Sequence, residues 1–256
     1  MRLAREHAWD VTTAEARAIQ ERLRGHWEGQ DRLGKLQTVA GLDAAFVLTG
    51  SQAFQARPNR SSLLRSANQA IGCVVQYRYP EMEEIARAYA VLPLGFPYVP
   101  GFLSFREIPV LLAALGKLPS VPDLLFCDGQ GYAHPRRMGL AAHLGIVLDL
   151  PTVGCAKSLL VGRHERLGKK AGSWVPLVDP ENDGERIGAA LRTRDGVKPI
   201  YVSQGNRITL ATALKLVLQV TSGYRIPRPT READHFTKEM KKKLAAQQLK
   251  NSRRSD

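Results

Sequence analysis

The sequence predicts an α/β domain. Two features of its order predict this: three strand-like runs come first, and strand and helix patterns then alternate toward the C-terminus. With 256 residues, 44% of them hydrophobic, the chain can bury a sizeable core. Residues 12–27 read as an amphipathic accessory helix opened by a capping box, with Thr12 as N-cap and Glu15 three residues later. Thr38 to Val47 (TVAGLDAAFV) has β character, and Ala70 to Tyr77 (AIGCVVQY) is a stronger apolar strand. Glu81 to Leu92 is ambiguous, because Ile85, Arg87, Tyr89 and Val91 alternate with alanines that also suit a helix; strand is preferred. Ser104 is placed to cap a helix reaching Gly116, and Asp123 to Asp128 (DLLFCD) is a short buried strand ending in an acid. A helix over Met138 to Leu144, strands near Thr152 to Ala156 and Pro199 to Ser203, and a helix from Thr209 to Ser222 follow. Arg57 to Arg65 reads as a polar turn and Gly162 to Gly172 as a basic loop.

The 37 Lys and Arg against 24 Asp and Glu give a net charge of +13. With a pI near 10.0, this favours a polyanionic partner such as nucleic acid or an anionic membrane surface. Seven basic residues fall after Thr237 against only Glu239 and Asp256, so a main domain over residues 1–236 and a basic tail over 237–256 are expected. From Lys238 the chain is charged and Gln-rich, suiting a solvated helix or disorder. Cys73, Cys127 and Cys155 have no CxxC spacing, which argues against a disulfide framework or structural zinc and favours a cytoplasmic location. No window approaches the roughly 20 apolar residues of a membrane span, so no membrane association is expected.

Pro97-Tyr98-Val99-Pro100-Gly101 stands out, because each proline fixes its own φ and biases its predecessor toward extended geometry. Tyr98 is therefore carried on a stiff, non-helical tip. Asp43, in the middle of an apolar strand, is costly to bury as an anion unless a cation compensates it, although a solvent-facing position is the plainer alternative. Asp128 ends the run LLFC and precedes Gly129-Gln130-Gly131, where ligands gather at the carboxyl ends of α/β strands. Two strand-borne carboxylates suit Mg²⁺ or Mn²⁺ and phosphodiester hydrolysis. Ser104-x-x-Glu107 scans as an ordinary capping box, and from the residues alone that role is preferred for Glu107. Arg136 and Arg137 precede a helix and are placed to hold phosphate, while His134 reads as a structural histidine more readily than a metal ligand. Lys157 follows the strand TVGCA at the same edge as the acids, where it is either a surface lysine or a neutraliser of the scissile phosphate.

Together these motifs resemble the endonuclease V family, repair nucleases of the ribonuclease H-like superfamily that act beside deaminated purines. The resemblance rests on VAGLDAAF at 39–46, PYVPGFLSFRE at 97–107, PDLLFCDGQGYAHPRRMGLAAHLG at 122–145, PTVGCAKSLLVG at 151–162, and SQGNRITLATAL with GYRIPRPTREAD within 203–234. It implies a mixed central sheet flanked by helices, with Asp43, Glu107 and Asp128 as catalytic metal-binding carboxylates, reversing the capping preference for Glu107. Lys157 matches the family's lysine near the scissile phosphate. Tyr98 matches a wedge that fills the gap left by a flipped base, and Gly101, Leu103, Gly129, Gly139 and Leu160 match its largely backbone-lined pocket. Cleavage of the second phosphodiester bond 3′ to the lesion, with Mg²⁺ and with Mn²⁺ as a substitute, is implied. Inosine-containing DNA is the implied partner, inosine-containing single-stranded RNA a second one, and a monomer is expected. Asn206 stands where the family places a histidine beside the metal site, and Ala211 where many relatives carry an acid. These departures raise a competing reading, an inosine-binding protein with weakened cleavage, and predict that Asn206→His raises turnover.

Overall fold

Among the residues described by the computed structural model, 2–48, 68–182 and 184–252, an eight-stranded sheet organises the chain. Strands β1 (Thr38–Val47), β2 (Gln69–Arg78) and β3 (Glu84–Pro93) form an antiparallel meander. Next to β1, strands β4 (Leu124–Cys127) and β5 (Thr152–Ala156) run parallel to it. Three antiparallel strands complete the sheet: β6 (Trp174–Val178), β7 (Arg186–Leu191) and β8 (Ile200–Asn206), in the overall order β3-β2-β1-β4-β5-β8-β7-β6. The helices are α1 (Thr13–Arg24), α2 (Leu103–Leu115), α3 (Leu140–Leu148), α4 (Leu210–Gln219) and α5 (Arg228–Ser252).

Strand alternation sends side chains to both faces, and both are covered. Val39, Ile71, Leu124, Phe126 and Val153 pack with Leu214 and Val217 of α4 and Phe236 and Met240 of α5. Ala40, Leu42, Val74, Leu125 and Cys127 pack on the other side with Ile108 and Leu111 of α2 and Leu144 of α3. Gly41 lets α5 start directly on the sheet, because a Cβ there would lie 2.0 Å from the Pro229 carbonyl oxygen. The Asp123 carboxylate accepts from the backbone N–H of Gln37 and Thr38 at 3.0 and 2.8 Å, pinning the starts of β1 and β4 together.

Most expected elements form, with differences that have physical causes. Thr12 and Glu15 make the reciprocal capping box, and α1 ends at Arg24. The ambiguous third segment is a strand, paired along β2. Helix α2 begins at Leu103 with Phe102 as an N-cap that makes no side-chain bond, so the expected Ser104 cap is absent. The Ser104 hydroxyl is bonded to His143 instead. Strands β6 and β7 were not foreseen: β6 contains Pro176, tolerated because β6 lies at the sheet edge, and β7 is built largely of glycine and alanine. The expected boundary at 236/237 falls inside α5, where Thr237 and Met240 are buried. The polar turn read at Arg57 to Arg65 lies outside the described residues. Cys73, Cys127 and Cys155 are buried free thiols. Among the described residues no helix is long and apolar enough to cross a membrane.

Candidate active site

The acids meet because of strand register. Leu42 of β1 pairs with Cys127 of the parallel β4, so the next residue on each strand, Asp43 and Asp128, stand side by side at the carboxyl edge. The Asp128 N–H still bonds the Leu42 carbonyl at 3.3 Å. Asp43 shares the face of Val39 and Gly41, which is the face covered by α5, and the Thr237 hydroxyl meets its carboxylate. One turn earlier on α5, Asp234 completes a cluster in which one oxygen from each of Asp43, Asp128 and Asp234 lies within 4.8 Å of the others. Glu107, buried in α2, closes the same cleft from the opposite side.

Their electrostatics follow from crowding. Burial, with the charge of Asp128 beside it, raises Asp43 to about 7. Burial, then the charges of Asp43 and Asp128, holds Glu107 well above the ordinary carboxylate range. Lys157, on the segment after β5, donates from Nζ to Asp128 at 2.5 Å and lies 3.4 Å from Asp234. Burial opposes its charge, yet Asp128 and the other acids outweigh that and raise its pKa. Asp234 is kept low, its own burial outweighed by Lys238 at 2.5 Å and by Lys157. Hard oxygen donors repelling one another across a cleft fit a small divalent cation, with Asp43, Asp128 and Asp234 as its ligands and Glu107 behind them.

A second cavity of about 200 Å³ opens beside the acids. Tyr98, Val99, Pro100, Gly101, Leu103, Gly129, His134, Gly139 and Leu160, all expected at the site, are in its wall, together with Ser104 and Gln130. Leu103, Gly129, Gln130 and Leu160 border the acidic cleft as well, so the two spaces share a wall. Tyr98 is exposed on the loop between Pro97 and Pro100. That loop turns at Gly101, whose φ of +81° and contact with the Arg136 guanidinium leave no room for a side chain.

Three expectations change. Arg136 is engaged within the fold: it donates to the Gly101 carbonyl at 2.6 Å and to Gln20 at 2.5 Å and lies over the Phe102 ring, bracing the Tyr98 loop. Arg137 is consumed by Asp179, by Glu185 at 2.6 Å, and by the His134 carbonyl at 3.0 Å. Asn206 sits at the opposite end of the sheet, because β8 runs antiparallel to β5 and pairs Asn206 with Thr152, the first residue of β5. There it is buried, accepting from the Glu28 N–H at 3.0 Å and donating to the Gly145 carbonyl at 3.1 Å. Ala211 is exposed in the first turn of α4, which follows that same end of β8. His134 has the structural role read for it, its pKa lowered to about 4 by burial and then by Arg136, with Nδ1 accepting from the Arg136 N–H at 3.2 Å. Asp234 was not singled out, although it is the last residue of the stretch GYRIPRPTREAD.

The sheet order and the acid cluster at its carboxyl edge define an α/β domain whose carboxylate site suits a divalent cation. The endonuclease V family model matches residues 19–235. The chain belongs to the endonuclease V family. It is 47% identical over 235 residues to endonuclease V of Trichormus variabilis, covering 91% of this chain and 97% of that one. Endonuclease V of Roseiflexus castenholzii is 45% identical over 234 residues, with 91% and 96% covered. The crystal structure of the Streptomyces avermitilis endonuclease V superposes with a TM-score of 0.80 at 39% identity, covering 93% of this chain and 96% of that one. Ciona intestinalis endonuclease V, in complex with a 24mer DNA containing an inosine followed by a ribo-adenosine, gives 0.73 at 29% identity, with 90% and 98% covered.

Proposed function

We propose that this protein is a repair endonuclease that turns a deaminated purine, deoxyinosine, out of DNA into the cavity and hydrolyses the second phosphodiester bond 3′ to it. The observation that supports this is the wall shared by the cavity and the acidic cleft: on this reading the cavity takes the base and the adjoining cleft the phosphate. The Ciona relative bound to inosine-containing DNA supports the substrate class. Tyr98 fills the space left in the stack, and flipping costs a few kcal/mol, least for a weakly paired base. Asp43, Asp128 and Asp234 hold Mg²⁺ or Mn²⁺, with Glu107 assisting. Bound there, the ion supplies charge neutralisation and Lewis acidity at the phosphate. Lys157 adds its ammonium against the negative charge that develops on the phosphate oxygens. The products carry 3′-hydroxyl and 5′-phosphate ends, the protein acts as a monomer in the cytoplasm, and inosine-containing single-stranded RNA is a second substrate.

The position of Asn206 at the far end of the sheet speaks against the competing reading, a binding protein blunted by Asn206. A nicking assay on a labelled duplex with one deoxyinosine, in Mg²⁺, Mn²⁺ or EDTA, tests the proposal. A metal-dependent nick at the second 3′ bond is expected; binding without any nick sinks it.

A further inference from the structure

Ser104 lies in the cavity wall between Leu103 and the base of α2, and its hydroxyl meets Nδ1 of the buried His143 at 2.9 Å. The Nε2 of His143 meets Nε2 of His7 at 2.8 Å, and Nδ1 of His7 meets the Ala8 carbonyl oxygen at 2.8 Å. With both rings neutral, this chain permits one arrangement of hydrogens. A carbonyl oxygen only accepts, so His7 carries its hydrogen on Nδ1 and presents a lone pair at Nε2. His143 must then donate from Nε2, which leaves its Nδ1 as an acceptor. Ser104 must give its single hydrogen to that nitrogen. The hydroxyl keeps lone pairs and has no second proton to give, and among the described residues no donor is bonded to it.

The surroundings favour the neutral form of both rings. Burial lowers His7 and takes His143 well below its ordinary value. Trp9 stacks on His143 at 5.3 Å and Phe105 meets it edge-on at 5.2 Å, keeping the His143 ring from water. Two histidines committed to orienting one hydroxyl in the wall of a cavity are costly to bury unless the hydroxyl's polarity has a use.

We propose that Ser104 is a specificity-determining residue, its hydroxyl fixed by the Ala8–His7–His143 chain as an acceptor for the N1–H edge of a 6-oxopurine. Adenine carries a lone pair at N1, so the same hydroxyl would leave two acceptors facing each other. This rests on the reading of the cavity as the base pocket. A site that hydrogen-bonds a donor rejects an analogue lacking it because its own buried group is left unpaired.

The test compares kcat/KM of the full-length protein on duplexes that differ only in carrying deoxyinosine or deoxynebularine, a purine with no hydrogen on N1. Wild type is expected to prefer deoxyinosine strongly. Ser104→Ala should shrink that preference by about tenfold, mainly through loss on deoxyinosine. His7→Ala, at the half-exposed end of the chain, frees His143 to carry its hydrogen on either nitrogen and should raise nicking of deoxynebularine. An equal loss on both substrates with Ser104→Ala, or an unchanged ratio, overturns the assignment of Ser104. If wild type itself shows no preference for deoxyinosine, the base-pocket reading fails first.

Discussion

Asp43 sets up a testable conflict between pH and folding. Its carboxyl titrates near 7 in the folded, metal-free chain and near the ordinary 3.8 when unfolded. Between those values the folded state binds a proton that the unfolded state does not, so stability falls as pH rises from about 4 to about 7 and levels off above. Three pH decades at ~1.4 kcal/mol each put this penalty on the order of 4 kcal/mol at pH 8. For a domain of this size that corresponds to a fall in Tm of roughly 10 °C. A divalent cation binds the ionised carboxylate and offsets the penalty, so Mg²⁺ should raise Tm more at pH 8 than at pH 5. Thermal unfolding of wild type and Asp43→Asn, each with EDTA or Mg²⁺ at both pH values, isolates the contribution of this group. Asp43→Asn should show a clearly shallower pH slope than wild type, the remainder belonging to groups such as Glu107, and should lose most of the Mg²⁺ effect. A wild-type slope matched by Asp43→Asn in EDTA would refute the reasoning.

Lys157→Ala removes the ammonium beside Asp128 and should lower kcat by on the order of 10²-fold while leaving affinity for the lesion within a few-fold; single-turnover kinetics with a separate binding assay resolve the two. Tyr98→Ala should weaken binding to a deoxyinosine duplex by about ten- to a hundredfold, the worth of one stacked base, as read by titration in Ca²⁺ or EDTA. Asn206→His should leave turnover unchanged, contrary to the expectation drawn from the family pattern. It should cost about 1–3 kcal/mol of stability in urea unfolding, because its bonds to Glu28 and Gly145 are lost inside the fold.

Strand-borne acids were legible because a carboxylate inside an apolar run is a local contradiction that the sequence displays openly. Asp43 in VAGLDAAF and Asp128 after LLFC are such contradictions. Asp234 is not, since in Arg231-Glu232-Ala233-Asp234-His235 it looks like one charge on a solvated helix. Only the packing of α5 against β1 brings it to Asp43. Arg136 and Arg137 looked free because their partners, Gln20, Asp179 and Glu185, lie more than 40 residues away in either direction. The misplacement of Asn206 has a topological cause: without knowing that β8 is antiparallel to β5, its end cannot be assigned to either edge of the sheet. The edge pair β6 and β7 escaped notice because proline, glycine and alanine mask a strand whose pairing is decided by its neighbour.

The wall between cavity and cleft also acts as a ruler. Gly129 and Gln130 follow Asp128 directly in the chain and line both spaces, so under the proposed function two residues of backbone would set the span from the base to the phosphate. Such a gauge would make cleavage fall at a constant number of nucleotides from the lesion, whatever sequence surrounds it. On that reading, altering the offset means rebuilding the turn that carries Gly129 and Gln130.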